Sequence, residues 1–463
     1  MLLDRLLAAR PHHRRGFAVH LTGVRLFVAS FAGLITIGAL GFLLLPGLYA
    51  GPPFDTVDAF FMSASAVCVT GLAVVDVSAH LTGWGQAWLL FLIQAGGLGI
   101  LSFATIIVQL LGRRSALEVE SATGSGVGAT VGRTRSLLRA VFLLTFGIEA
   151  VGAIGLWLQW RGALGDWGAV WPAAFHAISA FCNAGFSTFS ESLAGWRTDP
   201  PVLLTMGGLI VLGGLGFVVL EDVRGRWLQH RVRRLSTHSR VTLAATAVLL
   251  VGGTLVFLLF ETPVALRDLG PVDRVTNAFF MAVTPRTAGF NTVDYERISD
   301  PSLALTVALM YVGGAPASTA GGIKVTTAAL LVLVLWTRLR RRGQVAVGGR
   351  TVRDETVGSA ASLAVGAIGI LATGIFLLLV VEHAAEATDR TDLIKLVFEA
   401  HSAFGTVGLS MNRTAELTPA GRVIITLLMF VGRVGPLALA AAMATRGVGQ
   451  ARFRYAYDEV AVG

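Results

Sequence analysis

The sequence predicts an all-α membrane protein: eight transmembrane helices and four short re-entrant pore helices, arranged as four tandem helix–pore loop–helix repeats with pseudo-fourfold symmetry around one pore. Three observations carry this. Apolar runs of spanning length recur along all 463 residues, basic and acidic residues alternate between successive loops, and one glycine-centred segment occurs four times at matched offsets.

The chain is 54% hydrophobic and only 14% charged. An ordinary soluble domain carries about 25% charged residues, so lipid is the main solvent here. Apolar runs cover 26–45, 87–111, 138–158, 202–220, 241–260, 363–381 and 423–442, and a crossing helix needs about 20 such residues. No soluble domain of useful size fits between them. Cys68 and Cys182 form neither a disulfide framework nor a metal-ligand spacing. The first 15 residues are too charged and interrupted for a cleavable signal, so the first span is expected to stay in the mature protein.

The net charge of +9 is placed, not spread. Arginines cluster at 5–15, 113–139, 224–240, 338–353 and 446–454, after alternate apolar blocks. The intervening segments carry the acids, among them Asp55, Asp58, Asp76, Asp166, Glu191, Asp294, Glu296, Glu382 and Asp389. By the positive-inside rule both termini and the three long basic loops are cytoplasmic. Contact with anionic membrane lipid accounts for the arginines. No recognition motif accompanies them, so nucleic acid is excluded as a partner.

The repeat is centred on Gly71, Gly185, Gly289 and Gly408, which lie 114, 104 and 119 residues apart. Phe61, Phe175, Phe279 and Phe398 each stand ten residues before their glycine, and Leu72, Phe186, Phe290 and Leu409 follow it. Ser65, Ser179 and Ser402 stand six before it. Each segment is about half a membrane long, with a span on either side, and falls on the side away from the arginines. The four repeats run in the same sense, unlike the inverted repeats of many carriers.

Non-helical backbone at membrane depth must be buried in protein or line a wet cavity. Four such segments around one axis present carbonyl oxygens that can replace the hydration shell of a cation. Glycine permits the left-handed dihedrals this needs, and each half-helix, such as 55–67, ends there with its partial negative charge towards the ion. One glycine alone would mean helix packing, as is common in membranes; four at matched offsets do not. A membrane enzyme would need clustered His, Asp or Glu, and a proton-coupled carrier would need inverted repeats and an ion-pair relay. Neither pattern occurs.

The four loops, with Gly313-Gly-Ala-Pro-Ala-Ser-Thr-Ala-Gly-Gly-Ile-Lys324 and Phe430-Val-Gly-Arg-Val-Gly-Pro436, resemble the Trk/Ktr/HKT potassium transporter superfamily from about residue 25 to the C-terminus. Within it the chain is most similar to the KtrB branch, the membrane subunits of Ktr potassium uptake systems, since no extra helix pair precedes the first repeat. The resemblance implies channel-like potassium uptake in a bacterial inner membrane and a selectivity filter of Val69, Thr70, Gly71, Asn183, Ala184, Gly185, Thr287, Ala288, Gly289, Thr406, Val407 and Gly408. It further implies sodium stimulation, no organic cofactor on this chain, and a homodimer resting on a cytosolic RCK-type (KtrA-like) regulatory ring that binds ATP and ADP. Members that pass sodium often carry serine at the first filter glycine; Gly71 favours potassium, with a sodium-conducting member as the alternative. The repeats are bounded at 25–112, 137–229, 241–340 and 358–445, between a cytoplasmic segment 1–24 and a cytoplasmic tail 446–463 that the resemblance places near the dimer interface.

The second span of repeat three is broken. An apolar stretch at 302–311 gives way to Gly313, Gly314, Pro316, Ser318, Thr319, Gly321 and Gly322, and helix resumes at about Ile323. Glycine and proline interrupt the hydrogen-bond ladder, so this loop must face the cavity below the filter: a gate, or else a packing hinge. Arg433 lies in an apolar span, where it needs a partner; the reading is that it donates to the gate loop, the alternative that it snorkels to the surface. Lys324, grouped with the gate, reaches either cavity or cytoplasm. Arg286 puts a charge near the filter mouth. Glu149 is expected to pair with a neighbouring polar group, and Glu399 and His401 to hydrogen-bond the scaffold outside the filter.

Overall fold

The computed structural model describes residues 12–99, 128–227, 234–341, 344–347, 350–385 and 390–435. The helices, in order, are α1 (His12–Leu44), α2 (Thr56–Val67), α3 (83–99), α4 (Gly128–Leu164), α5 (Val170–Cys182), α6 (Pro200–Leu215), α7 (Phe217–Trp227), α8 (Thr237–Glu261), α9 (Pro271–Val283), α10 (Asp300–Tyr311), α11 (Val325–Leu339), α12 (Asp354–Ala385), α13 (Arg390–Gly405) and α14 (Pro419–Val434). One antiparallel pair of two-residue strands, β1 (Ala346–Val347) and β2 (Arg350–Thr351), lies between α11 and α12. The expected C-terminal tail, the ends of repeats one and four, and Arg5 and Arg10 of the first arginine cluster lie outside the described residues.

A long helix, a short helix and a second helix follow one another four times. The long members contain Arg25–Leu44, Arg139–Leu164, Thr237–Glu261 and Asp354–Ala384, each long and apolar enough to cross a membrane. Their outward residues, such as Leu26, Val248, Leu255 and Phe376, are apolar and exposed, which suits lipid and not water. This is a multipass membrane protein.

Local sequence sets the boundaries. Asp55 caps α2 by accepting from the Asp58 amide at 2.7 Å. The later second helices each carry proline in the first turn, which fixes it, and Asp199 and Thr418 cap α6 and α14 by accepting from the Val202 and Gly421 amides. Two long helices also grip the start of their unit's second helix. Glu261 accepts from the Ser299 amide and hydroxyl at 2.9 and 2.6 Å, and Glu382 accepts from those of Thr418 at 3.1 and 2.7 Å.

The units close into a ring. α6 packs against α9, α10 against α13, and α14 against α2, so each second helix supports the short helix of the next unit. Between units one and two, the Trp171 indole donates to Gln86 at 2.7 Å. The last seam is closed by an ion pair from Arg422 to Asp58.

One expectation fails here. The run 202–220 does not form a continuous helix: it breaks at Gly216, and α6 and α7 meet at 100°. The reason is a neighbour. Gly216 (φ +78°, ψ 153°) stands with the Pro316 and Ala317 carbonyl oxygens each 2.8 Å from where a Cβ would be.

Candidate functional site

The short helices α2, α5, α9 and α13 are filled with small buried residues on the faces that meet their neighbours. Each ends in a loop that reverses direction at once. In every loop the glycine has positive φ: +99° at Gly71, +72° at Gly185, +80° at Gly289 and +92° at Gly408. The residue two before it is also left-handed: Val69, Asn183, Thr287 and Thr406, with φ between 50° and 72°. Three of these four are β-branched, for which such a φ is strained and persists only when the surroundings enforce it.

Hydrogen bonds supply that enforcement. The amides of Thr70, Ala184 and Val407 return to the carbonyls of Ser65, Ser179 and Ser402 at 2.8, 2.7 and 2.8 Å, and that of Ala288 to Thr284 at 3.0 Å. The Ser65 and Ser402 hydroxyls accept from the Gly71 and Gly408 amides at 3.1 and 3.0 Å. The Ser179 hydroxyl instead donates to the Phe186 carbonyl at 2.8 Å, and Thr284 does the same to Phe290. The serine six residues ahead of the glycine is thus a brace, and Thr284 takes its place in unit three. The amides point backwards and the carbonyls forwards.

The four glycines form a closed ring. A Cβ on Gly71 would run into the Ala184 carbonyl oxygen, one on Gly185 would lie 2.9 Å from that of Ala288, one on Gly289 2.6 Å from that of Val407, and one on Gly408 would meet that of Thr70. Each glycine therefore makes room for the carbonyl that precedes the next. Among the described residues none of these four oxygens accepts a hydrogen bond. Buried carbonyls are paired in the great majority of cases, so four together left free mark a place for another partner. A ring of bare oxygens suits a desolvated cation.

The broken second helix of unit three lies against this ring. Between α10 and α11 the chain doubles back: the Gly313 amide donates to Ile323 at 2.8 Å and the Val325 amide to Gly314 at 2.9 Å. Helix resumes at Val325. The tip is clamped to the break in unit two, with the Phe217 amide donating to Ala317 at 3.0 Å, Ala315 to Gly214 at 2.8 Å and Thr319 to Gly213 at 3.4 Å. The Thr319 hydroxyl donates to the Phe181 carbonyl at 3.1 Å, so the loop touches the root of the second glycine loop. Arg433, buried in α14, donates to the Thr319 carbonyl. Lys324 turns inward and donates to Ala320 at 2.6 Å. Of the expected gate residues, Gly313, Gly314, Ser318, Thr319, Gly321, Gly322, Lys324 and Arg433 come together here.

Arg286 is not near the mouth. Its side chain is buried and its Nη2 lies 3.5 Å from the Gly313 carbonyl, beside a small cavity lined by Ile210, Gly214, Thr246 and Gly314. It directly precedes the left-handed Thr287 and reaches the Gly313 carbonyl of the broken helix. His401 also departs from expectation, because its ring bonds Val397 of its own helix at 2.8 Å. Glu399 does brace the outer scaffold, accepting from Ser410, from the Met411 amide at 3.2 Å and from Thr414 at 2.8 Å. Glu149 is paired with Gln94. Sequence reading missed Gly216, since a glycine in an apolar run reads as helix packing.

A family model for the cation transport protein TrkH matches residues 25–447. The chain is 36% identical over 448 residues to Ktr system potassium uptake protein B of Bacillus subtilis, covering 96% of this chain and 98% of that one. It is 33% identical to the potassium/sodium uptake protein NtpJ of Enterococcus hirae, again covering 96% and 98%. The crystal structure of the potassium transporter TrkH from Vibrio parahaemolyticus superposes with a TM-score of 0.73 at 19% identity, covering 94% of this chain and 86% of that one. A multipass membrane protein whose four units close on a ring of bare carbonyls belongs among the cation-transport folds. The chain belongs to the TrkH family, Ktr-type members included.

Proposed function

We propose that this chain is the potassium-conducting membrane subunit of a Ktr-type uptake system in a bacterial inner membrane, with one pore per chain. Eight crossings and four re-entrant half-helices are the reading of the four helix triplets, both termini lying in the cytoplasm. The repeats run over 25–112, 137–229, 241–340 and 358–445. Thr70, Ala184, Ala288 and Val407, with the residues on either side of each, form the selectivity filter. The observation that carries this is the closed ring of four glycines with its four unbonded carbonyls. Relatives named for potassium uptake at 36% identity over almost the whole chain support the choice of ion.

The loop between α10 and α11 is the gate, held shut by Arg433 and by the break at Gly216. A cytosolic nucleotide-binding ring moves it, and the chain works as a homodimer. One reading competes: the relative named for potassium and sodium uptake favours sodium passage through the same ring. Uptake of radiolabelled rubidium and sodium into liposomes containing the purified chain separates them. Rubidium preference that collapses in Gly71→Ser supports the proposal; sodium preference in the parent, or an unaltered ratio in Gly71→Ser, overturns it.

A further inference from the structure

Behind the second glycine loop lies a buried polar cluster that neither the ring nor the gate requires. Glu149 of α4 is 3% exposed. The Gln94 amide of α3 donates to both of its carboxylate oxygens at 3.1 Å. The Cys182 thiol at the end of α5 donates in turn to the Gln94 carbonyl at 3.4 Å and lies 3.9 Å from Glu149 Oε1. Each donor in this row points towards Glu149, whose two oxygens both stand as acceptors to Gln94.

We infer that Glu149 is a positioning residue for cation selection: through Gln94 and Cys182 its carboxylate holds the second glycine loop at the spacing that discriminates between cations. The inference rests on the ring being the selectivity filter.

The geometry leads from the acid to the ring in two steps. Cys182 is followed directly by Asn183, the left-handed residue that starts the loop, and then by Ala184, whose carbonyl stands against Gly71, and by Gly185, which stands against the Ala288 carbonyl. A shift of Cys182 therefore moves one quarter of the ring against both neighbours. α3 is brought close enough to hold it by Gly97, where a Cβ would lie 2.8 Å from the Cys182 sulfur. On its inner side the same root is held by the Thr319 hydroxyl on the Phe181 carbonyl, 3.1 Å away. The root of loop two is thus gripped from the gate on one flank and from the acid on the other.

The acid is particular to this unit. At the same offset before their glycines the other three units carry Ile35, Gly253 and Ala372, none of them ionisable. An acid at membrane depth is expensive, and such residues are generally paired and functional. Simple packing between α4 and α3 would be served by an apolar residue. A buried network with all its members bonded instead fixes one arrangement of the elements it joins.

The test uses the full chain in liposomes, measuring the KM and maximal rate of rubidium uptake and the rubidium-to-sodium ratio. Glu149→Gln keeps the shape and puts an amide nitrogen, which cannot accept, where a carboxyl oxygen stood; Gln94→Ala and Cys182→Ala cut the link and leave the acid in place. Each is expected to move the KM and the ion ratio by about three- to tenfold, and Glu149→Gln combined with Gln94→Ala no further than either alone, as for residues acting in one network. A fall in maximal rate alone, with KM and ratio unmoved in all three, means a packing role and overturns the inference. If Glu149→Gln does not insert, the other two variants decide by the same readout. Gly185→Ser is measured alongside. An unmoved ratio there sinks the filter reading itself, whereas a moved ratio there with none in the three cluster variants sinks only the role given to Glu149.

Discussion

Replacing Gly216 by valine is the sharpest probe of the gate. The backbone there (φ +78°, ψ 153°) lies in a region that essentially only glycine occupies, at a cost of about 1–3 kcal/mol for other residues. A Cβ would also stand 2.8 Å from the carbonyl oxygens of both Pro316 and Ala317. These are backbone atoms, so relief comes only when the loop withdraws. Withdrawal breaks three backbone bonds between the loop and unit two, each worth about 0.5–1.5 kcal/mol net. That cost is common to parent and variant, so the strain sets the change: the shut arrangement is raised by about 1–3 kcal/mol relative to the withdrawn one, roughly a 5- to 150-fold rise in the open population. Rubidium flux into liposomes holding the chain alone reads this directly. Gly208→Ala is the control, because nothing lies within 4 Å of a Cβ there. Parental flux from Gly216→Val, at equal protein per vesicle, would refute the idea that the clamp keeps the loop in place.

Three other predictions follow the same logic. Arg433→Ala removes a charge-assisted bond to Thr319 worth about 1.5–3 kcal/mol, so ungated rubidium flux should rise by about 10- to 150-fold; unchanged flux counts against a restraining role. Glu399→Ala strands the Ser410 and Thr414 hydroxyls and the Met411 amide and should cost about 3–5 kcal/mol, read as a lower melting midpoint in detergent. Asp76, in the loop after Gly71, titrates below the usual carboxylate range: partial burial pushes it up, but the Ser190 and Ser78 hydroxyls and the Ser78 and Ala79 amides push it down further. A lowered folded value means that its contribution is complete above the unfolded value of about 3.9 and is lost as pH falls through the lower one. Asp76→Asn should therefore flatten the acid limb of the melting-versus-pH curve and leave the neutral region's slope unaltered.

The repeat was legible because its signals are local. A glycine with phenylalanine ten residues earlier and serine six residues earlier marks where a short helix ends and a brace begins, and these offsets survive in all or most units. The break at Gly313–Gly322 was legible too, because glycine and proline crowd there. Gly216 was not: Gly213, Gly214 and Gly216 sit in an apolar run where small residues ordinarily mean close helix packing, and the cause of the break is a carbonyl about a hundred residues downstream. The left-handed backbone at Val69, Thr287 and Thr406 was hidden for the opposite reason, since β-branched residues resist that conformation and only the ring imposes it. Arg286 shows the limit of reading position along the chain as position in space. It lies beside Thr287 in sequence, yet its side chain belongs to the broken helix.

Four quarters on one polypeptide have a consequence that four identical subunits would not allow. In a tetramer encoded once, any substitution in the filter or beneath it occurs four times, so a blocking loop would fill the cavity from every side and an acid behind the filter would surround it. Here each quarter changes alone. Among the described residues unit three carries the doubled-back loop, unit two the bent helix it bonds to, and unit four the arginine that donates to it. The three act in concert because they are different. One chain can therefore place a different device on each side of a single ring.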